Sequence, residues 1–270
     1  MRRCSAEGQR AEMTELHFSD EIVKIQRKYG PFFDAHAHLG RFSGWAAGLE
    51  STPETLIAQA DRFGIQTTAL CCEDNDRTLD AMKRFPRRVL GCVYVNPLRP
   101  EAVDLIDHFV REGFGAVKLQ PLRHAYCADD VIVDPVLDRA EKYGIPVCIH
   151  SGHPPYSLPW QIALLAERHP GVKILMLHMG HGHGVYIDAA LKMARRLPNL
   201  YLEMSGMPMP AKIREAYETV GPDRILFGTD TPFHDPSVEI EKVLTSGVDE
   251  TGLKRIFFEN ARSFFRVAEG

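Results

Sequence analysis

The chain has 270 residues, 44% of them hydrophobic and 25% charged, with a formal net charge of −4. That composition suits a globular chain with one large core or two smaller ones. The acidic balance argues against a nucleic-acid partner, the lack of any apolar run of roughly 18 residues argues against a membrane-spanning helix, and the basic N-terminus has no apolar stretch behind it to form a secretory signal.

Residues 1 to about 18 are polar and aperiodic and read as a loose extension. An amphipathic helix is expected over Ser19–Tyr29, with Ile22, Val23 and Ile25 on one side and Gly30-Pro31 as its stop. Eight short apolar runs follow: Phe32–His36, Thr67–Cys72, Val89–Val95, Ala116–Leu119, Val147–Ile149, Ile174–Leu177, Leu200–Glu203 and Ile225–Phe227. Their near-continuous apolar character predicts parallel strands covered on both faces. Helical patterns lie between them, at Pro53–Phe63, Pro100–Arg111, Pro135–Tyr143 and Ala211–Val220. Ser51 and Thr52 suit a helix cap with Pro53 in the first turn, and Gly64, Gly113, Gly144 and Gly221 suit the position just past a helix end. A last helix, Gly252–Phe265, is expected on the outside. Eight strand–helix units in one chain favour a closed (β/α)₈ barrel over a doubly wound sheet. The expected division is an extension and helix over 1–30 and a single barrel over 31–270.

The six cysteines are Cys4, Cys71, Cys72, Cys92, Cys127 and Cys148, and none forms a C-x-x-C pair. Three lie within predicted strands and Cys72 ends one. They read as free thiols serving as small core residues, which suits a reducing, cytoplasmic setting rather than a zinc–thiolate site.

His36, His38, Lys118, His150, His178 and Asp230 carry the chemistry. The steps from 38 to 118, 118 to 150, 150 to 178 and 178 to 230 are 80, 32, 28 and 52 residues. Those steps are near-multiples of a strand–helix unit of about 30 residues. The six residues therefore fall at the ends of strands 1, 4, 5, 6 and 8, which converge on one face of a barrel. His36 and His38 form a His-x-His pair, and residues i and i+2 of a strand share a face. A single strand-end histidine is more often a hydrogen-bonded core residue than a ligand. His150 and His178 occupy the same position in successive units, which favours function. Asp230, after an apolar run, needs a cation or hydrogen bonds to be buried. Imidazoles with a carboxylate and an open position make a catalytic divalent site. Lys118 has three readings: a buried salt bridge, a substrate-anion contact, or a carbamylated ligand bridging two metals.

Two further loops are candidates for substrate. Gly180-His181-Gly182-His183-Gly184 leads into a helix, and His153-Pro154-Pro155-Tyr156 precedes Trp160. With Arg123, His124 and Tyr126 on the loop after strand 4, these suggest a polar-aromatic pocket. Arg123, His153, Tyr156 and His181 are the candidate substrate contacts.

Asp34-Ala35-His36-Ala37-His38, the strand-end His150 and His178, Phe227-Gly228-Thr229-Asp230-Thr231-Pro232 and Glu259-Asn260-Ala261 resemble the amidohydrolase superfamily. The nearest branch is the amidohydrolase-related group, and the likeness runs from about Phe32 to Phe265. It implies a distorted barrel and one divalent metal, zinc or alternatively manganese, held by His36, His38, His150 and Asp230. It gives His178 an acid–base role. Two-metal members of the wider superfamily have a carbamylated lysine where this chain has Lys118, so a second metal stays open. A homodimer is implied by likeness alone. The leading expectation is hydrolysis of a small amide, ester or lactone by a metal-activated water, with the catalytic residues Asp230 and His178 moving protons. The alternative is non-oxidative decarboxylation of a small aromatic or unsaturated carboxylic acid. An inactive barrel that binds a small molecule is a third reading. The partner in each case is a small molecule, carboxylated in the decarboxylase reading.

Overall fold

Buried β-branched and apolar runs alternate with helices whose ends are marked by proline and glycine, and the computed structural model describes residues 20–268 of this pattern. The expected loose extension and Ser19 lie outside the described residues. Eight strands pair in parallel and in chain order. They are β1 (Phe32–Ala37), β2 (Ile65–Leu70), β3 (Val89–Val95), β4 (Ala116–Leu119), β5 (Val147–His150), β6 (Ile174–Leu177), β7 (Leu200–Glu203) and β8 (Ile225–Leu226). The last strand returns to the first. Ala35 N donates to the Phe227 carbonyl at 3.0 Å, Asp230 N to the His36 carbonyl at 2.7 Å, and His38 N to the Thr231 carbonyl at 2.7 Å. The architecture is an (β/α)₈ barrel, as the repeated strand–helix pattern predicts.

The helix Pro53–Phe63 shows how local sequence sets these units. Thr52 caps it by accepting from Thr55 N, while the Thr55 hydroxyl accepts from Thr52 N, and Gly64 ends it in the left-handed region at φ 77°. Strand β2 starts directly after that glycine, two residues before the expected Thr67, and ends at Leu70, so Cys71 and Cys72 both lie beyond it. The N-terminal helix is Asp20–Arg27, shorter than expected. Val23 and Gln26 face inward, and Gln26 Nε2 donates to the Ser237 carbonyl at 2.9 Å. Ile25 is 52% exposed, so it does not join the packed side.

The chain end departs most from expectation. The expected helix is present and continuous from Glu250 to Phe264, widened to a π-type turn over Arg255–Glu259, but its end packs inward. Asn260 Nδ2 donates to the carbonyls of Pro222 and Ile225 at 2.7 and 2.8 Å, pinning the segment to β8. Ala261, Phe264 and Phe265 then pack with Phe33, Ala35, Cys92, Ala116 and Cys148, which are inward-facing barrel residues. Phe265 stacks on Phe33 at 5.6 Å and Phe264 lies 4.8 Å from Tyr201. The aromatic pair closes the end of the barrel where the strands begin. Cys71, Cys92 and Cys148 are free, buried thiols of this interior, as expected. No described helix is long and apolar enough to cross a membrane.

Phe264→Ala is expected to cost about 3–5 kcal/mol of unfolding free energy, the range for removing a packed phenylalanine. Urea denaturation of the two proteins measures it; a loss under about 1 kcal/mol would mean that Phe264 does not close the core.

Candidate active site

At the opposite end, the strands deliver polar side chains into the barrel mouth. Strand β1 slips register between Asp34 and Ala37. Asp34 is buried inside this strand and accepts from His36 N at 3.1 Å, Thr229 N at 2.8 Å and the Thr229 hydroxyl at 2.6 Å. Burial, opposed by those bonds, raises its pKa to about 7. The carboxyl ties β1 to the segment after β8 and so sets His36 and His38 beside Asp230. His38 Nε2 lies 3.1 Å from Asp230 Oδ1 and 3.3 Å from His36 Nε2, and His36 Nε2 lies 3.3 Å from the same oxygen. One ligand atom each from His36, His178 and Asp230 fall within 4.8 Å of one another.

The tautomers suit metal donors. His38 Nδ1 meets the Cys71 carbonyl at 2.7 Å, and His178 Nδ1 meets the Ser205 carbonyl at 3.0 Å. A carbonyl only accepts, so each Nδ1 carries a proton, and the Nε2 of His178 offers a lone pair. Burial pushes His36 and His150 well below the usual histidine range, helped by Lys118 and by neighbouring histidines. Burial likewise takes His178 down to about 3. Burial works to raise Asp230, but the hydrogen bond from His38 and the charge of His178 hold it at about 2. Neutral imidazoles around an ionised carboxylate are the donor chemistry that a divalent cation requires.

Not every predicted residue points at that centre. His150 lies beside His178, with ring centroids 4.8 Å apart, but its Nε2 is hydrogen-bonded to His153 Nδ1 at 2.8 Å. His153 in turn packs on His181 at 4.6 Å. Tyr156 is half-buried in the same loop, its carbonyl accepting from Ala128 N. Arg123 is mostly exposed and paired with Glu73 at 2.5 Å. Lys118 is fully buried in β4, and its Nζ has no hydrogen-bond partner among the described residues.

The turn that presents His178 is strained. His178, Met179 and His181 adopt φ of 64°, 47° and 61°, and Asp230 has φ 55°. Non-glycine residues hold this region only when their surroundings over-determine it. Glu203, fully buried at the end of β7, does so for His178. It accepts from His178 N at 3.1 Å, from Ser205 N and from the Ser205 hydroxyl at 3.0 Å. Its carboxyl fills the space where a side chain on Gly228 would sit, 2.5 Å from such a Cβ. Burial raises Glu203 to about 7 against those bonds. Ser151 adds a bond from Gly180 N at 3.0 Å. Gly152 must be glycine, because a Cβ there would meet His181 at 2.4 Å.

The sequence reading misses Asp34 and Glu203. Both are carboxylates within or ending an apolar run, the same signal that marks Asp230. It also misses an aromatic wall. Phe233 lies 5.3 Å from His38, 4.6 Å from Phe42 and 5.2 Å from Trp45.

A barrel with histidines at the ends of β1, β5 and β6 and an aspartate after β8 defines a class of strand-end metal site. The chain belongs to the amidohydrolase family, whose model matches residues 33–267. It is 28% identical over 120 residues to gamma-resorcylate decarboxylase from Polaromonas sp. (strain JS666 / ATCC BAA-500), a match covering 38% of this chain and 37% of that protein. The aligned part thus spans little more than a third of that relative. In structure the chain is similar to a putative 2-pyrone-4,6-dicarboxylic acid hydrolase from Pseudomonas putida, with TM-score 0.73 and 17% identity over 88% of this chain and 99% of that one. It is similar too to a dihydroxybenzoic acid decarboxylase from Polaromonas sp. JS666 with bound manganese and the inhibitor 2-nitroresorcinol, with TM-score 0.71 and 17% identity over 89% and 98% of the two chains.

An acid with a raised folded pKa stabilises the fold while protonated and loses that contribution as pH climbs through the raised value. For Glu203 the loss runs from its ordinary 4.5 up to about 7. Glu203→Gln keeps a neutral side chain at all pH. Melting curves from about pH 5 to pH 8 should therefore show the wild type losing ground to the variant. Parallel curves would mean that Glu203 is ionised throughout.

Proposed function

We propose that this protein is a metal-dependent, non-oxidative decarboxylase of a small aromatic carboxylic acid. The observation that carries the reading is the convergence of His36, His178 and Asp230, with His38 Nε2 3.1 Å from the same carboxylate oxygen. Hydrolysis leads on sequence alone. The curated relative is a decarboxylase, as is one of the similar structures, and that supports decarboxylation over hydrolysis. Similarity to the pyrone hydrolase keeps lactone opening as the second reading. The intact donor set argues against an inactive binding barrel.

His36, His38, Asp230 and His150 would hold one divalent ion, His150 by releasing His153. Manganese is favoured over zinc because the similar decarboxylase structure carries it. When bound, the ion supplies charge neutralisation and an anchor for substrate oxygens. The residues manage the proton. Decarboxylation breaks the bond between ring carbon and carboxylate, CO₂ leaves, and the carbon keeps the electron pair and takes a proton. His178 Nε2 is unprotonated in the free protein, since burial holds its pKa at about 3. An arriving anion raises its proton affinity. His178 then takes a proton as substrate binds and returns it to carbon, an acid–base contribution of about 10²–10⁴ in rate. Glu203 and Ser205 keep its ring in place. With a single ion, Lys118 stays an unmodified lysine.

CO₂ release from a panel of hydroxybenzoates by the manganese-loaded protein tests the reading. Turnover should appear with at least one of them and vanish in Asp230→Asn, whose circular dichroism should match wild type. Ester or lactone opening without CO₂ release would replace the reading with hydrolysis, and near-wild-type turnover in Asp230→Asn would remove that residue from the centre.

A further inference from the structure

A cavity of about 930 Å³ lies away from the barrel mouth, between the N-terminal helix Asp20–Arg27, the helix Pro236–Leu244 and the loop after β7. None of His36, His38, His178 or Asp230 lines it. Ile25, Met207, Pro208 and Val238 supply apolar walls. Gln26 lines it too and is only 1% exposed. Its Nε2 donates to the Ser237 carbonyl at 2.9 Å, and a carbonyl only accepts, so the amide cannot be turned over. Gln26 Oε1 is thereby fixed as an acceptor, and it has no hydrogen-bond partner among the described residues. Buried polar groups are almost always satisfied, so this oxygen calls for a donor from outside them.

Charge selects the kind of donor. Glu239 Oε1 accepts from Gly206 N at 3.2 Å and from His234 Nδ1 at 3.1 Å, and its Oε2 pairs with Lys242 Nζ. Lys242 Nζ also donates to the Met204 carbonyl at 2.8 Å, so the cation in the lining is already engaged. Asp235 and Glu241 line the same cavity and pair with no cation among the described residues. Asp235 caps the helix Pro236–Leu244 through Oδ1, which accepts from Ser237 N at 2.9 Å and the Ser237 hydroxyl at 2.6 Å. The charge left over is negative, and a cleft lined by one sign between apolar walls gathers the other. We propose that this cavity is a second small-molecule site and that it takes a hydrophobic amine, whose ammonium donates to Gln26 Oε1 while its apolar body lies against Ile25, Met207 and Val238. An ammonium offers only donors and carries the matching charge; a carboxylate has no donor, and an alcohol has one without the charge. The site does not depend on which reaction the barrel mouth performs. It backs onto that mouth all the same: Gly206, held by Glu239, follows Ser205, whose carbonyl accepts from His178 Nδ1.

Calorimetric titration of the full chain with 2-phenylethylamine and with its neutral counterpart 2-phenylethanol tests the site, on wild type, Gln26→Leu, Val238→Trp and His36→Ala. Wild type should bind about one amine per chain, at least about tenfold more tightly than the alcohol, the effect of one charge-assisted hydrogen bond. Gln26→Leu removes the acceptor, and Val238→Trp fills the cavity from a position that is 52% exposed and so leaves the core alone. Each should weaken the amine at least about tenfold. His36→Ala, which alters the barrel mouth, should leave amine binding unchanged. No saturable binding of the amine, an alcohol that binds as tightly, or an amine affinity that survives both cavity substitutions would overturn the site. Loss of the amine in His36→Ala would overturn it too, by placing the amine in the barrel mouth.

Discussion

The candidate site depends on how the barrel closes. Strand β1 meets the segment after β8 through three backbone bonds and through the buried Asp34 carboxyl, which grips Thr229 N and its hydroxyl. That seam sets two histidines from one end of the chain against an aspartate nearly two hundred residues later. Removing water from a carboxylate and several imidazoles costs free energy, and the seam holds these groups together against that cost. Burial then leaves His36, His150 and His178 neutral, while Asp230, bonded to His38, stays ionised. The same packing that builds the barrel thus prepares a donor set for a cation.

Positioning is shared between two buried acids with different duties. Asp34 joins strands, whereas Glu203 braces a turn of left-handed residues that turns the His178 imidazole toward the centre. Strain of this kind is held by its surroundings and clusters at functional sites. The base of the barrel is built differently, from stacked Phe33 and Phe265 and small thiols, with no polar duty. One end is apolar closure and the other carries the chemistry, the division expected of this fold.

Much of this is legible in the sequence because the barrel repeats. Each strand-end polar residue follows an apolar run at near-constant spacing, so the order of strands and the gathering of His36, His38, His178 and Asp230 can be anticipated. Orientation is harder. Nothing local shows that His150 Nε2 turns to His153 or that Arg123 pairs with Glu73, since both depend on loops meeting across the mouth. The chain end is misjudged for a similar reason. Periodicity predicts a helix there, but it does not say that Phe264 and Phe265 enter the barrel instead of lining its outside. Hydrolysis and decarboxylation share the same donors, so residue types alone do not choose between them.

Metal content per chain, measured by mass spectrometry on wild type and His36→Ala after exposure to manganese or zinc, tests the centre most directly. About one ion per wild-type chain, lost in the variant, is the predicted result. A wild type that takes up neither metal, or a variant that keeps its ion, would contradict a centre built on the seam between β1 and β8.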